Sequence, residues 1–502
     1  MKKNLLYTLL FIGLGSLLFT SCKKDKDPLT QEEEQVVLNK YVNTWIKDNM
    51  EAYYLWNNKI PSKLDDKLMP DQFFESMLYK YDKNLTPDGD RFSWIQENYL
   101  ELLESLSGVV SNELGFEYFL YPYNKNDYFG EFLYFKKGTD AATKGLKRGQ
   151  VFTHVNNTKL TSDNFRAVLS DATQNSSVTL KVFDPFIDFE AGFIYFNNEQ
   201  NVTINLLSRY AENPVFLDSI YTINGKTIGY LVYNFFANDA YDGTGSYDLA
   251  LNTVFEKFKN KGVDNLVLDL RYNNGGSVMS AIYLSSMIVK NLNTRNVFCE
   301  TEYNAEYQKF LFNRYGKDYF LDYFVNKIDV YDKNDKLTGQ YPLHNVGNLQ
   351  TLYILTGYWT ASASELLING LKPYMDVFLI GDVTIGKNVG SKSIYKENDS
   401  KNKWGIQPII FKCYNSERKS DFTAGFTPNV FDEDGFMNMP KKQLGDINEA
   451  LLNTAIRLIT GEELPQSVRT RSVQPVRPLG SSLDNRAWSN QIIMHRNGKQ
   501  LP

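Results

Sequence analysis

The spacing of apolar and polar positions changes character three times along the chain. Gln35 to Trp45 is apolar at helical spacing, and Pro70-Asp71-Gln72-Phe73-Phe74 has the form of a helix start, so residues 31–106 are expected to form a helical N-terminal domain. Residues 107–210 carry short β-rich runs at Phe116–Tyr121, Phe132–Phe135, Val178–Phe183 and Val202–Leu206, around one helical stretch near Asp163–Ser170. Residues 211–460 alternate apolar strands with helices, the signature of an α/β domain. Residues 461–502 are rich in Ser, Arg, Pro, Asn and Gln without periodicity, and are expected to be a disordered tail. The pattern thus predicts a multidomain α+β protein.

The first 22 residues stand apart. Lys2 and Lys3 precede an apolar run of 15 residues, Leu5 to Phe19, and Thr20-Ser21-Cys22 closes the segment. A run of that length falls short of the ~20 residues a membrane-spanning helix needs, which marks it as an export signal. Leu18-Phe19-Thr20-Ser21-Cys22 resembles a lipoprotein signal-peptidase site, with Cys22 as the lipidated first residue and the charged stretch 23–30 as a tether. The resemblance implies a protein of the cell envelope held to a membrane by its lipid anchor. Lys23 and Lys24, with no aspartate directly after Cys22, are compatible with the outer membrane of a two-membrane bacterium.

Composition narrows the function. Of 502 residues, 42% are hydrophobic and 14% aromatic, enough for several cores, and the formal charge of −5 argues against nucleic-acid binding. Zinc-type Cys/His spacings and calcium-loop motifs are absent from the sequence, so no metal or cofactor is expected. Beyond Cys22 only Cys299 and Cys413 remain, too few for a disulfide framework, and separate buried thiols are expected.

Three histidines, His154, His344 and His495, offer little to activate a serine, and none has a catalytic context. Ser362 and Lys387 do. They stand 25 positions apart, in Thr360-Ala361-Ser362-Ala363-Ser364-Glu365 and Thr384-Ile385-Gly386-Lys387. A lysine whose pKa is lowered by burial can take the proton from a serine hydroxyl. Leu266–Arg271 reads as a buried strand feeding Tyr272-Asn273-Asn274-Gly275-Gly276 and a helix from Val278 to Lys290. Leu352–Thr356 and Val377–Ile380 read as further strands, with a helix over Ser362–Leu371 between them. Ser362 would then lie at a helix N-terminus, with the Ala363 N–H and one from Gly275 or Gly276 forming an oxyanion hole. Asp269 and Arg271 are expected to fix the turn. Gly381 to Lys387 formally fits the start of a phosphate loop, but Asn388 replaces the required Ser or Thr, which excludes that reading.

Two stretches resemble known families. Gly138 to Phe152, running into Val155-Asn156-Asn157, resembles the PDZ-domain pattern, and Leu114, Gly115 and Phe116 stand at its peptide-binding loop. The ordered set Asp269-Leu-Arg-Tyr-Asn-Asn-Gly-Gly276, Thr360 to Glu365 and Thr384 to Lys387 resembles the C-terminal processing peptidases (tail-specific proteases). That resemblance implies a Ser362–Lys387 dyad and an α/β core of crotonase-like type at 211–460 preceded by a PDZ-like domain at 107–210. The implied substrates are polypeptides, either unfolded or presented by their C-termini. Ser391 stands where many members carry a glutamine that orients the lysine. The substitution keeps one rival open, a peptide-binding lipoprotein with an impaired catalytic core; a crotonase-like acyl-transfer enzyme is a weaker rival, disfavoured because the PDZ-like insert suits peptides.

Overall fold

The computed structural model describes residues 30–188, 190, 193–349, 351–432, 434–435, 439–464, 477–485 and 492–493. The leader with Cys22, the tether up to residue 29, and His495 lie outside the described residues.

The N-terminal helix Gln31–Tyr53 opens on a capping box in which Thr30 and Glu33 satisfy each other's backbone N–H groups. Its Val42, Ile46 and Met50 recur at four-residue spacing and are buried against Phe73, Phe74 and Met77 of the helix Pro70–Met77. Each such side chain contributes ~1.5–3 kcal/mol on leaving water. The same cluster takes in Ile406 of the strand Gly405–Gln407, which belongs to the C-terminal half of the chain. That strand pairs antiparallel with Trp94–Gln96, and the Leu55 N–H donates to the Ile409 carbonyl. The helical region is therefore locked onto the core, which fixes the loop Asp90–Ser93 between them.

A second unit runs from Val109–Glu113 to its antiparallel partner Leu207–Ala211. Within it, Phe116–Pro122, Tyr128–Phe135, Val151–Val155, Ser177–Asp188 and Phe193–Asn205 pair in that order, all antiparallel. The helix Phe165–Ala172 packs through Phe165, Val168 and Leu169 against a core of Phe116, Phe132, Phe152 and Val182.

The α/β core is built on six strands ordered Val215–Ile223, Lys226–Tyr233, Asn265–Asp269, Thr351–Thr356, Asp376–Gly381 and Val430–Phe431. The first two form an antiparallel hairpin and the rest run parallel. Continuous apolar runs such as Leu266-Val267-Leu268 suit a sheet covered on both faces. Leu251, Phe255, Leu284 and Leu367 cover one face, and Leu451, Leu452, Ala455 and Ile456 cover the other. The parallel strands end at Asp269, Thr356 and Gly381, so the loops after them open at one edge of the sheet, where open α/β sheets hold their ligands. A second six-stranded sheet includes Gly276–Ser277, Val389–Ser391, Ile409–Tyr414 and Val297–Tyr303.

Within 461–502, expected to be a disordered tail, the residues from 477 to 485 are ordered, while 465–476, 486–491 and 494–502 lie outside the described residues. The helix Ala450–Thr460 ends at Gly461, and residues 477–485 return to pack on the second unit, with Leu483 fully buried. Periodicity fails as a guide there because the segment adds to edges that other parts of the chain build. Cys299 and Cys413 are both buried and are not joined in a disulfide.

Candidate active site

The loop after Asp269 is held by buried charge. Arg271 donates to both oxygens of Glu449 (2.6 and 2.9 Å) and through Nε to Asp269 (3.0 Å), while the Tyr230 hydroxyl donates to Asp269 (2.7 Å). Asp269 and Arg271 thus anchor the turn. Asn273 then joins this loop to the next one: its Nδ2 donates to the Tyr233 carbonyl, and its own carbonyl accepts from the Ala361 N–H (3.2 Å) and the Ser364 hydroxyl (3.2 Å). Asn273 Oδ1 accepts the Gly275 N–H at 2.9 Å. The Gly275 N–H is thereby engaged in the turn. Gly276 has φ +132°, and a Cβ there would meet the Phe236 carbonyl oxygen at 2.0 Å, so no other residue fits.

Ser362 is the N-cap of the helix Ala363–Leu371 and has φ +65° and ψ −114°, a conformation that non-glycine residues rarely adopt. Its hydroxyl is fully buried and makes no hydrogen bond. The neighbouring hydroxyls differ. Thr360 Oγ1 donates to the Leu270 carbonyl (2.8 Å), and Ser364 is engaged by Asn273. Ala363 opens the helix, so its N–H is among those that no helical carbonyl satisfies.

Lys387 is completely buried. Burial pushes its ammonium group down to about 7, against the attraction of Asp90 and Glu365 and with the help of nearby Arg91. Its Nζ lies 4.7 Å from the centre of the Phe92 ring. A lysine in this state is unprotonated in a large fraction of molecules at neutral pH, as a general base must be.

Glu365 ties the serine loop to the lysine loop. Oε1 accepts from the Thr384 hydroxyl (2.5 Å) and the Gly386 N–H (2.7 Å); Oε2 accepts from the Ser362 N–H (2.8 Å) and the Lys387 N–H (2.7 Å). Burial pushes the Glu365 carboxyl above the ordinary glutamate value, and these four donors oppose part of that rise. Asp90 accepts from the Tyr54 hydroxyl (2.9 Å) and from the Phe92 and Ser93 N–H groups (2.8 and 2.9 Å). Arg91 donates to the Gly386 carbonyl at 2.6 Å. The N-terminal region therefore supplies one wall of the lysine's site. Sequence reasoning gave Glu365 only a place in the first helical turn and missed Asp90, Arg91, Phe92 and Asn273. The spacing from Ser362 to Glu365 is the one local signal that pointed toward any of them.

Ser391 is buried at the end of the strand Val389–Ser391, which pairs with Ile409–Tyr414. In the loop Leu114-Gly115-Phe116, the Gly115 N–H already donates to Glu113 (2.7 Å), and Phe116 belongs to the core of its unit. Among the described residues no cluster of His, Cys, Asp or Glu has the form of a metal site.

The model of peptidase family S41 matches residues 227–431, and that of the peptidase S41 N-terminal domain matches residues 41–94. Among solved structures, a protein of Bacteroides fragilis NCTC 9343 classed as an S41 protease is 26% identical to this chain. The match covers 83% of this chain and 97% of that one, with a TM-score of 0.64. The photosystem II D1 C-terminal processing protease is 17% identical over 81% of this chain and 94% of its own, with a TM-score of 0.42. Mature CPAF is 12% identical over 79% and 93%, with a TM-score of 0.39. The last two are too distant to bear on the site. No curated protein matches the chain.

Proposed function

Since the chain belongs to peptidase family S41, with the N-terminal and peptidase domains of that family both present, we propose that it is an exported serine endopeptidase working through Ser362 and Lys387. The observation that supports this reading is that a buried Ser362 hydroxyl without a protein partner and a buried Lys387, whose amine burial pushes down to about 7, stand on two loops whose main chains are joined by Glu365. Unprotonated Lys387 takes the proton of Ser362 as Oγ adds to a peptide carbonyl. The N–H groups of Ala363 and Gly276 receive the oxyanion. The protonated lysine gives its proton to the leaving amine, and water then hydrolyses the acyl-enzyme.

Substrates in this reading are polypeptides, unfolded or presented by a C-terminus, with residues 107–210 acting as a PDZ-like module beside a crotonase-like core. Cys22 carries the lipid that holds the enzyme in the cell envelope. Ser391 in place of an orienting glutamine favours a second reading, a peptide-binding lipoprotein with an impaired core. Incubating an unfolded protein with the parent chain, Ser362→Ala and Lys387→Ala, and reading the fragments by mass spectrometry, separates the two. Cleavage by the parent alone supports the dyad; three inert proteins that still bind peptide C-termini support the binding reading.

A further inference from the structure

The segment after residue 464 enters two strand pairings. Gly480–Ser481 adds antiparallel to Phe116–Pro122, with Gly480 opposite Leu120 and Ser481 opposite Phe119. The Leu479 N–H donates to the Leu120 carbonyl (2.8 Å), the Tyr118 N–H to the Ser482 hydroxyl (2.8 Å), and the Trp359 indole to Asp484 (2.7 Å). The edge so covered is the strand that follows Leu114-Gly115-Phe116, the loop expected to receive peptides. Eleven residues after Ser481, Ile492–Ile493 lies between Gly276–Ser277 and Val389–Ser391, parallel to both. Ile492 stands opposite Gly276, and Ile493 opposite both Ser277 and Ser391.

This second position has the character of a substrate slot. One wall is the backbone of the proposed oxyanion glycine, and the other begins two residues after Lys387. Strands in a sheet lie ~4.8 Å apart, so the two walls admit one extended chain between them. Recognition through main-chain pairing on both edges tolerates many side chains, and adding a strand in this way is a common means of holding a peptide.

On the basis of the peptidase reading above, we propose that the chain paired at Gly480–Ser481 and at Ile492–Ile493 is this enzyme's own first substrate. It is anchored on the Phe116–Pro122 edge and cut in cis at a peptide bond adjoining Ile492. Ser362 Oγ adds to the carbonyl carbon and its proton passes to Lys387. The C–N bond breaks, and the departing amine takes that proton. Water then cleaves the ester, leaving a new carboxylate on the shortened chain and a free Ser362. Once the cut end leaves, the slot accepts polypeptides in trans.

The test uses the chain from residue 23 onward, its Ser362→Ala form and a form ending at Asn485, with fluorescein-labelled unfolded casein as the probe. Intact mass is followed over time at several protein concentrations. The parent should shorten to an end within a few residues of Ile492 at a rate independent of concentration, while Ser362→Ala keeps its mass. The shortened form should digest casein without delay, and the parent only after a lag that matches its own shortening. Ile493→Pro, which removes one N–H from the pairing, should slow self-cleavage at least ~10-fold. Digestion of casein by a parent whose mass stays unchanged, or shortening that accelerates with concentration, overturns the proposal while the peptidase reading stands. Inertness of every form towards casein, with the parent's mass unchanged, overturns both.

Discussion

The main-chain N–H groups of Ser362 and Lys387 donate to one and the same oxygen, Oε2 of Glu365, at 2.8 and 2.7 Å. Two residues from separate loops are thereby held by a single buried atom. Fixing both backbones removes the freedom that would let either side chain drift from its reacting position, and a misplacement of ~1 Å can cost ~100-fold in rate.

Glu365→Gln keeps the shape of this link and breaks its chemistry. Each carboxylate oxygen accepts from two donors, so an amide nitrogen in either place turns a donor toward two donors. Each orphaned buried donor costs ~1–3 kcal/mol. The variant should lose ~2–4 kcal/mol in urea unfolding and fall at least ~100-fold in kcat, with KM nearly unchanged. A fall in KM affinity with kcat preserved would place Glu365 in binding and not in alignment.

In the proposed dyad, Lys387 should make both rate and stability depend on pH. Activity should rise through about pH 7 as the amine loses its proton. The folded-state pKa lies below the ordinary lysine value of 10.5, so between about 7 and 10.5 the unfolded chain binds the extra proton and stability rises with pH. Below about 7 the amine is protonated in both states, and the full penalty of burying the charge is present. Lys387→Met should therefore be inactive yet more stable than the parent at neutral and acid pH. The gain should shrink by up to ~1.4 kcal/mol per pH unit above neutrality in unfolding titrations. An equal gain at pH 6 and pH 10 would show that the amine is not titrating in this way.

Asp90 supplies the largest attraction opposing the effect of burial on Lys387. In Asp90→Asn the remaining oxygen can still accept from Phe92 and Ser93, and the amide can donate to the Tyr54 hydroxyl, so the loop should persist. The ammonium form loses its partner, and the acid limb of the rate profile should move to lower pH by up to ~1 unit. An unmoved limb would assign the control of Lys387 to Glu365 alone.

These groups differ in how far the sequence exposes them. The strands Asn265–Asp269, Thr351–Thr356 and Asp376–Gly381 were legible because continuous apolar runs have no other use in a core sheet. The motifs that hold Ser362 and Lys387 were legible as loops that follow such strands. Asp90, Arg91 and Phe92 lie far away in sequence, in a loop without periodicity, and meet Lys387 only because the helical region docks on Gly405–Gln407. That the Gly275 N–H donates to the Asn273 side chain is a detail that spacing cannot reveal. Residues 477–485 were hidden for a related reason, since a strand added to an existing edge needs no pattern of its own.

The orphan hydroxyl of Ser362 makes function and stability separable. Its Oγ leaves water without gaining a hydrogen bond, so removing it relieves a penalty instead of breaking a contact. Ser362→Ala should abolish peptide cleavage and melt at the parent's temperature or above it, with a gain of up to ~1 kcal/mol. Ser362→Gly should melt higher still, because φ +65° strains serine and alanine alike but not glycine. Thr360→Ala and Ser364→Ala are the contrast, since both hydroxyls donate to buried carbonyls and each loss should destabilise by ~1–3 kcal/mol. If Ser362→Ala proves as destabilising as these two, its hydroxyl is part of the scaffold, and the case for it as the nucleophile falls with that result.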